Sequence, residues 1–382
     1  MSSLTIALIF SSRNSEHDVS ITSAYVIRKA LKKHKEYKVI PVYISKSGKR
    51  YLEDNLDSLS KYTNFDDEAW GEVYVDMSKS DNKLHLVQSL PWFFKSSKQI
   101  MIDVVFPVLH GKAGEDGSIQ GLCEMLSVPY VWPWIAAAAL TIDKTISNYL
   151  LQAIGVPYIP WIPLRKWENI SSVISKITFP VFVKPYNWWS TIGVSKCKDK
   201  EELNQAIEVG FYFADEILIQ ESIENARELN CSIAVIDGKI TTTLVQQVLS
   251  NEEFLTFEEK YIFEKWWGSM SWVENKVIIP APLPEDITLK IQEISKQVYI
   301  DFKLSGCPRI DFLYQPTTEQ IYIIEINSIP GALQIYLWEK SGISKDLLLK
   351  DLIQEAIKRN TNRIGNISFP SNILENTSSF MK

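Results

Sequence analysis

Residues 309–331 read RIDFLYQPTTEQIYIIEINSIPG. Two runs rich in β-branched and aromatic residues flank the turn residues PTT, which predicts a hairpin of two antiparallel strands. Asp311, Glu325 and Asn327 are polar positions within these strands, and strand residues two apart point to the same face. Three oxygen-bearing side chains close to a basic residue, Arg309, are typical of a Mg²⁺ site that also binds phosphate oxygens.

A solvated sheet face is the alternative interpretation of the same hairpin. One face of it is predicted to be core and the opposite face polar, because the intervening residues are apolar: Ile310, Phe312, Ile324 and Ile326. An antiparallel sheet with one wet face has this same alternation. The hairpin pattern by itself therefore leaves the metal site and the solvated face equally open.

Two lysines lie near the ends of predicted elements. Lys144 follows an apolar helical segment, and Lys184 ends the strand-like run FPVFV. A basic side chain at such a position can contact a nucleotide phosphate, although a surface lysine is the commoner explanation for either residue alone. The loop after Lys184 contains Ser190 and Gly193, which offer a hydroxyl and a backbone amide to a phosphate.

The N-terminal part has the pattern of a βαβ unit. Residues 4–10 form a continuous apolar run, as expected of a parallel strand buried on both faces. A polar loop, a segment of helical periodicity at 19–33 and a second apolar run at 37–45 follow. In such a unit the ligand site lies at the loop after the first strand.

The chain begins with this α/β pattern and finishes with antiparallel strands, which favours three lobes. We place the boundaries near Trp132 and Ile219. The predicted fold class is α/β with an α+β C-terminal lobe. Its parts are a Rossmann-like domain at 1–132, a central lobe at 133–219, a C-terminal lobe at 220–358 and a tail at 359–382.

Composition narrows the class of protein. The chain has 382 residues, 46% of them hydrophobic, with 40 Lys and Arg against 46 Asp and Glu, so its net charge is −6. No basic surplus is present to bind a phosphate backbone, which argues against nucleic acid as a partner. Four dispersed cysteines do not form a disulfide framework, and no signal peptide or membrane-spanning run is recognisable. We expect a cytoplasmic protein.

Three motifs carry a resemblance to a known family. HGKAGEDGSIQG at 110–121, PRIDFLY at 308–314 and YIIEINSIPG at 322–331 resemble the D-alanine–D-alanine ligases of the ATP-grasp superfamily. The resemblance extends over nearly the whole chain. It implies a three-lobed ATP-grasp fold and an enzyme that uses ATP to join two amino acids through an acyl phosphate, releasing ADP and phosphate.

The resemblance also implies roles for particular residues. Asp311, Glu325 and Asn327 match the ligands of two Mg²⁺ ions, with Mn²⁺ as an alternative metal. Arg309 and Gly331 match the groups that stabilise the transferring phosphate and the oxyanion. Glu16, Ser190 and Tyr261 match the residues around the first amino acid. The residues that match nucleotide-binding positions are Lys144, Lys184, Glu228 and Lys260.

The departures from the family pattern fall in loops. Ser11 and Ser12 replace two glycines after the first strand, and Trp188-Trp189 stand in the phosphate loop. The loop after Tyr261 is longer than usual and contains Trp266, Trp267 and Trp272. The segment after Gly331 is several residues shorter than in the family. Tyr336 lies near the position at which the family has the serine that binds the carboxylate of the second amino acid.

These changes lead to three functional hypotheses. The first is a ligase whose second substrate is a bulkier or less charged amine than D-alanine. The second is an ordinary D-Ala–D-Ala ligase of cell-wall precursor synthesis. The third, from a different class, is a catalytically inactive ATP-binding protein. Small amino acids are the expected partners, and the family is often dimeric, so a homodimer is consistent with the resemblance.

Overall fold

The computed structural model describes residues 3–52, 58–63, 65, 71–79, 81–89, 97–187, 193–249 and 276–364. Three predicted site residues lie outside these ranges: Ser190, Lys260 and Tyr261. The same holds for the loop tryptophans Trp188, Trp189, Trp266, Trp267 and Trp272.

The strands, in chain order, are β1 (Leu4–Phe10), β2 (Tyr37–Ile44), β3 (Arg50–Leu52), β4 (Val73–Val75), β5 (Leu84–Gln88), β6 (Lys98–Ile102), β7 (Val104–Val108), β8 (Trp161–Arg165), β9 (Val181–Pro185), β10 (Ser195–Cys197), β11 (Glu216–Glu221), β12 (Arg227–Ile236), β13 (Lys239–Thr242), β14 (Gln246–Val248), β15 (Val277–Ile278), β16 (Arg309–Gln315) and β17 (Gln320–Asn327). The helices are α1 (His17–Leu31), α2 (Ser118–Met125), α3 (Ile135–Ile142), α4 (Lys144–Ala153), α5 (Ser171–Ile174), α6 (Lys200–Phe213), α7 (Glu285–Asp301), α8 (Ile335–Lys340) and α9 (Lys345–Ile364).

The N-terminal sheet has the strand order β3-β2-β1-β7, and β1 runs parallel to both β2 and β7. Five residues of β1 are buried, which explains why its sequence is a continuous apolar run. α1 connects β1 to β2, so the predicted βαβ unit is confirmed. Its first loop, between β1 and α1, contains Glu16.

The C-terminal sheet has the order β15-β14-β12-β16-β17, and β13 also pairs with β12. All of these pairs are antiparallel. One face is covered by a core cluster to which α7 contributes Ile291 and Val298, while Phe312 and Ile323 come from the sheet. The alternation within β16 and β17 therefore directs Arg309 and its neighbours at every second position away from this core.

Two segments of uniform sequence pattern are divided in the structure. The helical segment at 135–154 is divided at Asp143, whose carboxylate accepts a hydrogen bond of 2.9 Å from the backbone N–H of Ile146. This N-cap starts a new helix and makes Lys144 its first residue. The strand-like segment KITTTLVQQVLS at 239–250 is likewise divided, into β13 and β14.

Across the break, the segment that leads from β13 to β14 has one more residue than the part of β12 that lies opposite it. Ile233 pairs with Thr242 on one side of the break, and Asn230 pairs with Gln246 on the other. An extra residue in one strand reverses the faces to which the following side chains point. The bulge thereby sets Gln246 beside Asn230.

No helix in the described part of the chain could cross a membrane.

Candidate active site

The β16–β17 register brings the predicted metal-binding residues together. Arg309 lies opposite Asn327, and Asp311 lies opposite Glu325. The Asn327 Nδ2 group donates a hydrogen bond of 2.9 Å to Asp311 Oδ2. Because residues opposite each other on antiparallel strands share a face, all of these side chains are directed toward the same side of the sheet.

Asp311 is almost completely buried and is held by several donors. Arg309 donates to both of its oxygens, from Nε to Oδ1 at 2.6 Å and from Nη2 to Oδ2 at 2.7 Å. Asn230 Nδ2 donates to Oδ1 at 2.8 Å. Burial acts to lower the pKa of Arg309, but the carboxylates of Asp311 and Glu325 outweigh burial and raise it. Arg309 is therefore a permanent cation at this site.

A chain of side chains continues from Asn230. Its Oδ1 accepts a hydrogen bond of 3.1 Å from Gln246 Nε2, and Gln246 Oε1 accepts one of 2.7 Å from the Tyr336 hydroxyl. Asn230 and Gln246 are each 3% exposed. Tyr336 follows the Gly331 loop, so this chain of contacts runs from that loop to Asp311.

The loop that contains Gly331 is held from the N-terminal lobe by Ser23, His110 and Glu115. The backbone N–H of Ala332 donates to Ser23 Oγ at 2.9 Å. His110 Nδ1 lies 2.9 Å from the carbonyl oxygen of Ile329, and His110 Nε2 lies 2.9 Å from Ser23 Oγ.

The bonding directions in this contact follow from the chemistry of the partners. A carbonyl oxygen only accepts, so Nδ1 of His110 carries the ring proton and Nε2 accepts from the Ser23 hydroxyl. Burial lowers the pKa of His110 to about 4, so the ring is neutral near pH 7. The Gly331 loop is thus fixed by buried, fully directed hydrogen bonds.

Two buried carboxylates face the start of α1. Glu115 accepts hydrogen bonds from the backbone N–H groups of Gly111 and Ile329, both at 3.0 Å. Burial, together with the nearby carboxylates of Glu16 and Glu325, raises the pKa of Glu115. Glu16 itself is 5% exposed at the N-cap position of α1. The raised pKa favours the protonated form of Glu115, and a cationic ligand bound beside the two carboxyl groups would restore the ionised form.

Two family models match the chain over most of its length. The model described as D-ala D-ala ligase N-terminus matches residues 5–133, and the one described as D-ala D-ala ligase C-terminus matches residues 150–358. The chain belongs to the D-alanine–D-alanine ligase family. Members of this family are ATP-dependent ligases that form a peptide bond and release ADP and phosphate.

Individual proteins similar to this chain carry the name of this family. A D-alanine–D-alanine ligase of Caldicellulosiruptor bescii is 35% identical over 375 residues, covering 94% of this chain and 97% of that protein. A D-alanine–D-alanine ligase of Enterococcus faecalis is 32% identical over 370 residues, covering 93% of this chain and 99% of that protein.

Solved structures of family members have the same fold. The VanG D-Ala:D-Ser ligase from Enterococcus faecalis superposes with a TM-score of 0.78 at 26% identity, covering 93% of this chain and all of that chain. The D-alanyl-alanine synthetase A from Vibrio cholerae superposes with a TM-score of 0.77 at 27% identity, covering 94% of this chain and 100% of that chain. The predicted ATP-grasp fold class is confirmed.

The donor set of this D-alanine–D-alanine ligase family member fits a Mg²⁺ site. Asp311, Glu325 and Asn327 offer two carboxylates and one amide oxygen, which are hard ligands of the kind Mg²⁺ prefers. Asn327 is needed to complete the set, since the described residues contain no group of three His, Cys, Asp or Glu side chains that could hold a metal ion. A carboxylate has about four lone-pair directions, so a metal ion that binds Asp311 must replace one of its present donors.

Three of the predicted nucleotide-binding residues, Lys144, Lys184 and Glu228, lie within the described residues, on α4, β9 and β12. Lys184 on β9 donates from Nζ to Gln220 Oε1 at 2.7 Å. The backbone N–H of Lys144 donates to the carbonyl oxygen of Tyr186 at 2.9 Å, so the two lysines start from neighbouring backbone. Glu228 lies on β12 two residues before Asn230, on the same face of the C-terminal sheet.

Sequence reasoning missed several residues of this site. The sequence patterns do not single out Ser23, Asn230 or Gln246. His110 and Glu115 lie in the motif HGKAGEDGSIQG, which indicates the family but gives the two residues no role of their own. A polar residue within the apolar run LNCSIAVI was the available signal for Asn230. For Gln246 there was none, because its position opposite Asn230 depends on the bulge between β13 and β14.

Proposed function

We propose that this chain is an ATP-dependent ligase that activates a small amino acid, D-alanine, as an acyl phosphate. The acyl phosphate is then attacked by an amine that is bulkier or less charged than a second D-alanine. The observation that carries the proposal is the hydrogen-bonded group of Arg309, Asn327 and the buried Asp311 on one sheet face, in a chain of this family.

The first half of the reaction transfers the γ-phosphoryl group of ATP to the carboxylate of the amino acid. Phosphoryl transfer depends on positioning and charge neutralisation more than on covalent help from the protein. We assign two Mg²⁺ ions, or Mn²⁺, to Asp311, Glu325 and Asn327; when bound, they neutralise charge on the phosphates. Arg309 stabilises the transferring phosphate. The lysines at 144, 184 and 260 and Glu228 are assigned to the nucleotide.

The amino-acid side of the reaction uses the N-terminal lobe. Glu16 and Glu115 form a buried carboxyl pair, and an ammonium group bound beside them would favour the ionised form of both, which suits the first amino acid. Ser190 and Tyr261 are assigned as its further partners. In the second half, the acceptor amine attacks the carbonyl carbon of the acyl phosphate and the C–N bond forms, which gives a tetrahedral oxyanion. This intermediate collapses as the C–O bond breaks, releasing phosphate and the amine proton. The backbone N–H of Gly331 stabilises the tetrahedral oxyanion.

The acceptor assignment rests on Tyr336. Its hydroxyl donates its one proton to Gln246, so this proton is not directed at an acceptor carboxylate. A buried carboxylate without donors is costly. An acceptor that lacks this charge, or that packs against aromatic surface, avoids the cost.

An ordinary D-Ala–D-Ala ligase is the second candidate, because the curated relatives at 32% to 35% identity carry that name. An inactive ATP-binding protein is disfavoured by the retained Arg309 and by the Asp311, Glu325 and Asn327 set.

The deciding experiment incubates the chain with ATP, Mg²⁺ and D-alanine, alone and with a panel of D-amino acids, L-amino acids and decarboxylated amines. Mass spectrometry identifies the products. Hydroxylamine added without an acceptor should trap the acyl phosphate as the hydroxamate of D-alanine. If D-alanine is the best acceptor of the panel, the altered-acceptor proposal is wrong and the ordinary ligase stands. If no hydroxamate and no ADP form with any amino acid, the inactive protein stands.

Three further assignments belong to this proposal. We keep the division into lobes at 1–132, 133–219 and 220–358. A homodimer stays a proposal for the assembly. The cytoplasm stays the proposed compartment, and the free thiols of the four buried cysteines fit a reducing environment.

A further inference from the structure

We propose that Tyr336, Gln246 and Asn230 are positioning residues that orient the carboxylate of Asp311 and couple it to the acceptor end of the site. We name these three side chains the Tyr336 relay. The inference rests on the proposed function for the meaning of the acceptor end, which is the segment after Gly331. The contacts between the three residues and Asp311 stand independently of that function.

The direction of every hydrogen bond in the relay is determined by Asp311. An ionised carboxylate only accepts, so Asn230 must present its NH₂ group to Asp311 and its Oδ1 to Gln246. Gln246 then presents Nε2 to Asn230 and Oε1 to Tyr336. The Tyr336 hydroxyl is left with the role of donor. One orientation of the two amides therefore satisfies the whole chain from the carboxylate to the phenol.

The two amides of the relay are buried, and the Tyr336 side chain is half-buried. Asn230, Gln246 and Asp311 are 2% to 3% exposed. The Asn230 NH₂ group also donates to the carbonyl oxygen of Leu229 at 3.2 Å, so both of its protons are used. In such a low-dielectric setting the hydrogen bonds strengthen one another, and loss of one member leaves a buried polar atom without a partner.

The relay becomes most important when a ligand draws Arg309 away from Asp311. Arg309 provides one donor to each oxygen of the carboxylate, and a phosphate is a competing partner for its guanidinium. After this exchange, Asn230 still holds Oδ1 and Asn327 still holds Oδ2. These two amides keep the plane of the carboxylate fixed, and the lone pairs that Arg309 vacates would then be available to bind a metal ion.

Because Tyr336 is the far end of this chain, changes there should reach the metal site. Outer partners of metal ligands typically alter metal affinity about 10- to 100-fold when removed. We expect Asn230→Ala, which removes the direct partner, to raise the half-saturating Mg²⁺ concentration about tenfold. Gln246 and Tyr336 lie one and two hydrogen bonds further from Asp311 than Asn230 does. For Gln246→Met and Tyr336→Phe we therefore expect the half-saturating Mg²⁺ concentration to rise about threefold.

Tyr299→Phe is the matched control. The Tyr299 side chain is 4% exposed in the core of the same lobe, and its hydroxyl has no hydrogen-bond partner among the described residues. The substitution removes the same atom as Tyr336→Phe but from outside the relay. It should leave the Mg²⁺ dependence unchanged.

The experiment titrates Mg²⁺ against ADP binding by calorimetry, without any amino acid, for the wild type, the three relay variants, the Tyr336→Phe/Gln246→Met double variant and the control. Residues of one chain act as a unit, so the double variant should be no worse than the more affected single variant. The relay is refuted if Tyr336→Phe shifts the Mg²⁺ titration no more than Tyr299→Phe does. It is equally refuted if the effects of the two single variants multiply.

This readout separates the relay from the proposed function. Binding of ADP and Mg²⁺ requires no amino acid, so a shifted titration in a chain that ligates no amine would support the relay and contradict the proposed function. If the chain ligates an amine normally and the relay variants leave the Mg²⁺ titration unshifted, the proposed function is supported and the relay is contradicted. A wild-type chain whose ADP binding does not respond to Mg²⁺ would contradict both.

Discussion

Arg309 and Asp311, two residues apart on β16, are joined by parallel hydrogen bonds of 2.6 Å and 2.7 Å between the guanidinium and the carboxylate. The pair neutralises a buried anion that would otherwise be costly. In the proposed function, Mg²⁺ and ATP would offer each partner a replacement, since the metal ion is a cation for Asp311 and the phosphate is an anion for Arg309. The ion pair would then stabilise the site before the ligands bind without blocking their entry.

Replacement of Arg309 by lysine should reduce kcat about 100-fold or more while changing the KM for ATP only modestly. Lysine retains the positive charge but loses the bidentate geometry that the transferring phosphate requires. Arg227→Lys is the matched control, because Arg227 lies on β12 and its Nε donates to Gln247 Oε1 at 3.0 Å. If the KM for ATP rises and kcat does not fall, Arg309 binds only the ground state.

A substitution at Glu325 tests the metal site. Glu325→Gln is nearly isosteric, so the fold should be kept, while the loss of charge should reduce turnover at least about tenfold at limiting Mg²⁺. Part of the rate should return at high Mg²⁺. Steady-state rates over a Mg²⁺ series measure this effect, with the exposed Glu293→Gln on α7 as the control. Near-normal rates at low Mg²⁺ would remove Glu325 from the metal site.

Ser23 tests the attachment of the Gly331 loop to the N-terminal lobe. Ser23→Ala removes the acceptor for the Ala332 N–H and leaves His110 Nε2 without a donor, which should cost about 1–3 kcal/mol of stability. Hydrogen exchange of peptides spanning 329–334 should accelerate, and kcat should fall. The control is Ser295→Ala, because Ser295 is also buried but donates within its own helix, to the carbonyl oxygen of Ile291, far from the Gly331 loop in the chain. Unchanged exchange in this loop would argue against the attachment.

The buried His110 makes stability depend on pH. Its pKa in the folded chain is about 4, below the ordinary value of 6.5, so the folded state binds a proton less readily than the unfolded state. Its contribution to stability is complete above pH 6.5 and is lost as the pH falls from 6.5 to about 4. The loss should approach about 3 kcal/mol.

Urea denaturation at pH 7 and at pH 5 measures this dependence. His110→Gln lacks the titrating ring, so the decrease in its unfolding midpoint between the two pH values should be smaller than that of the wild type. Equal decreases in the two proteins would show that other groups cause the acid sensitivity.

Much of this protein could be read from its sequence, because the decisive signals are local. The apolar run at 4–10 predicts a buried parallel strand from its composition alone, and the hairpin at 309–327 follows from two strand-like runs around a turn. The shared face of Glu325 and Asn327 follows from the two-residue period of a strand, whereas Asp311 joins them through the register of β16 and β17. Motifs such as HGKAGEDGSIQG carry the family, since their residues are close together in the chain.

Only the tertiary structure decided the contacts between distant segments. The Tyr336 relay and Asp311 join α8, β14, β12 and β16. The pairing of Asn230 with Gln246 depends on one extra residue between β13 and β14. His110 meets the Gly331 loop across 219 positions of the chain. Periodicity states which face a side chain takes within its own element, but it contains no information on which other element lies opposite. The packing of whole sheets and lobes decides which elements lie opposite each other. The sequence therefore indicated the candidate metal-binding residues, and the structure revealed the side chains that hold them in place.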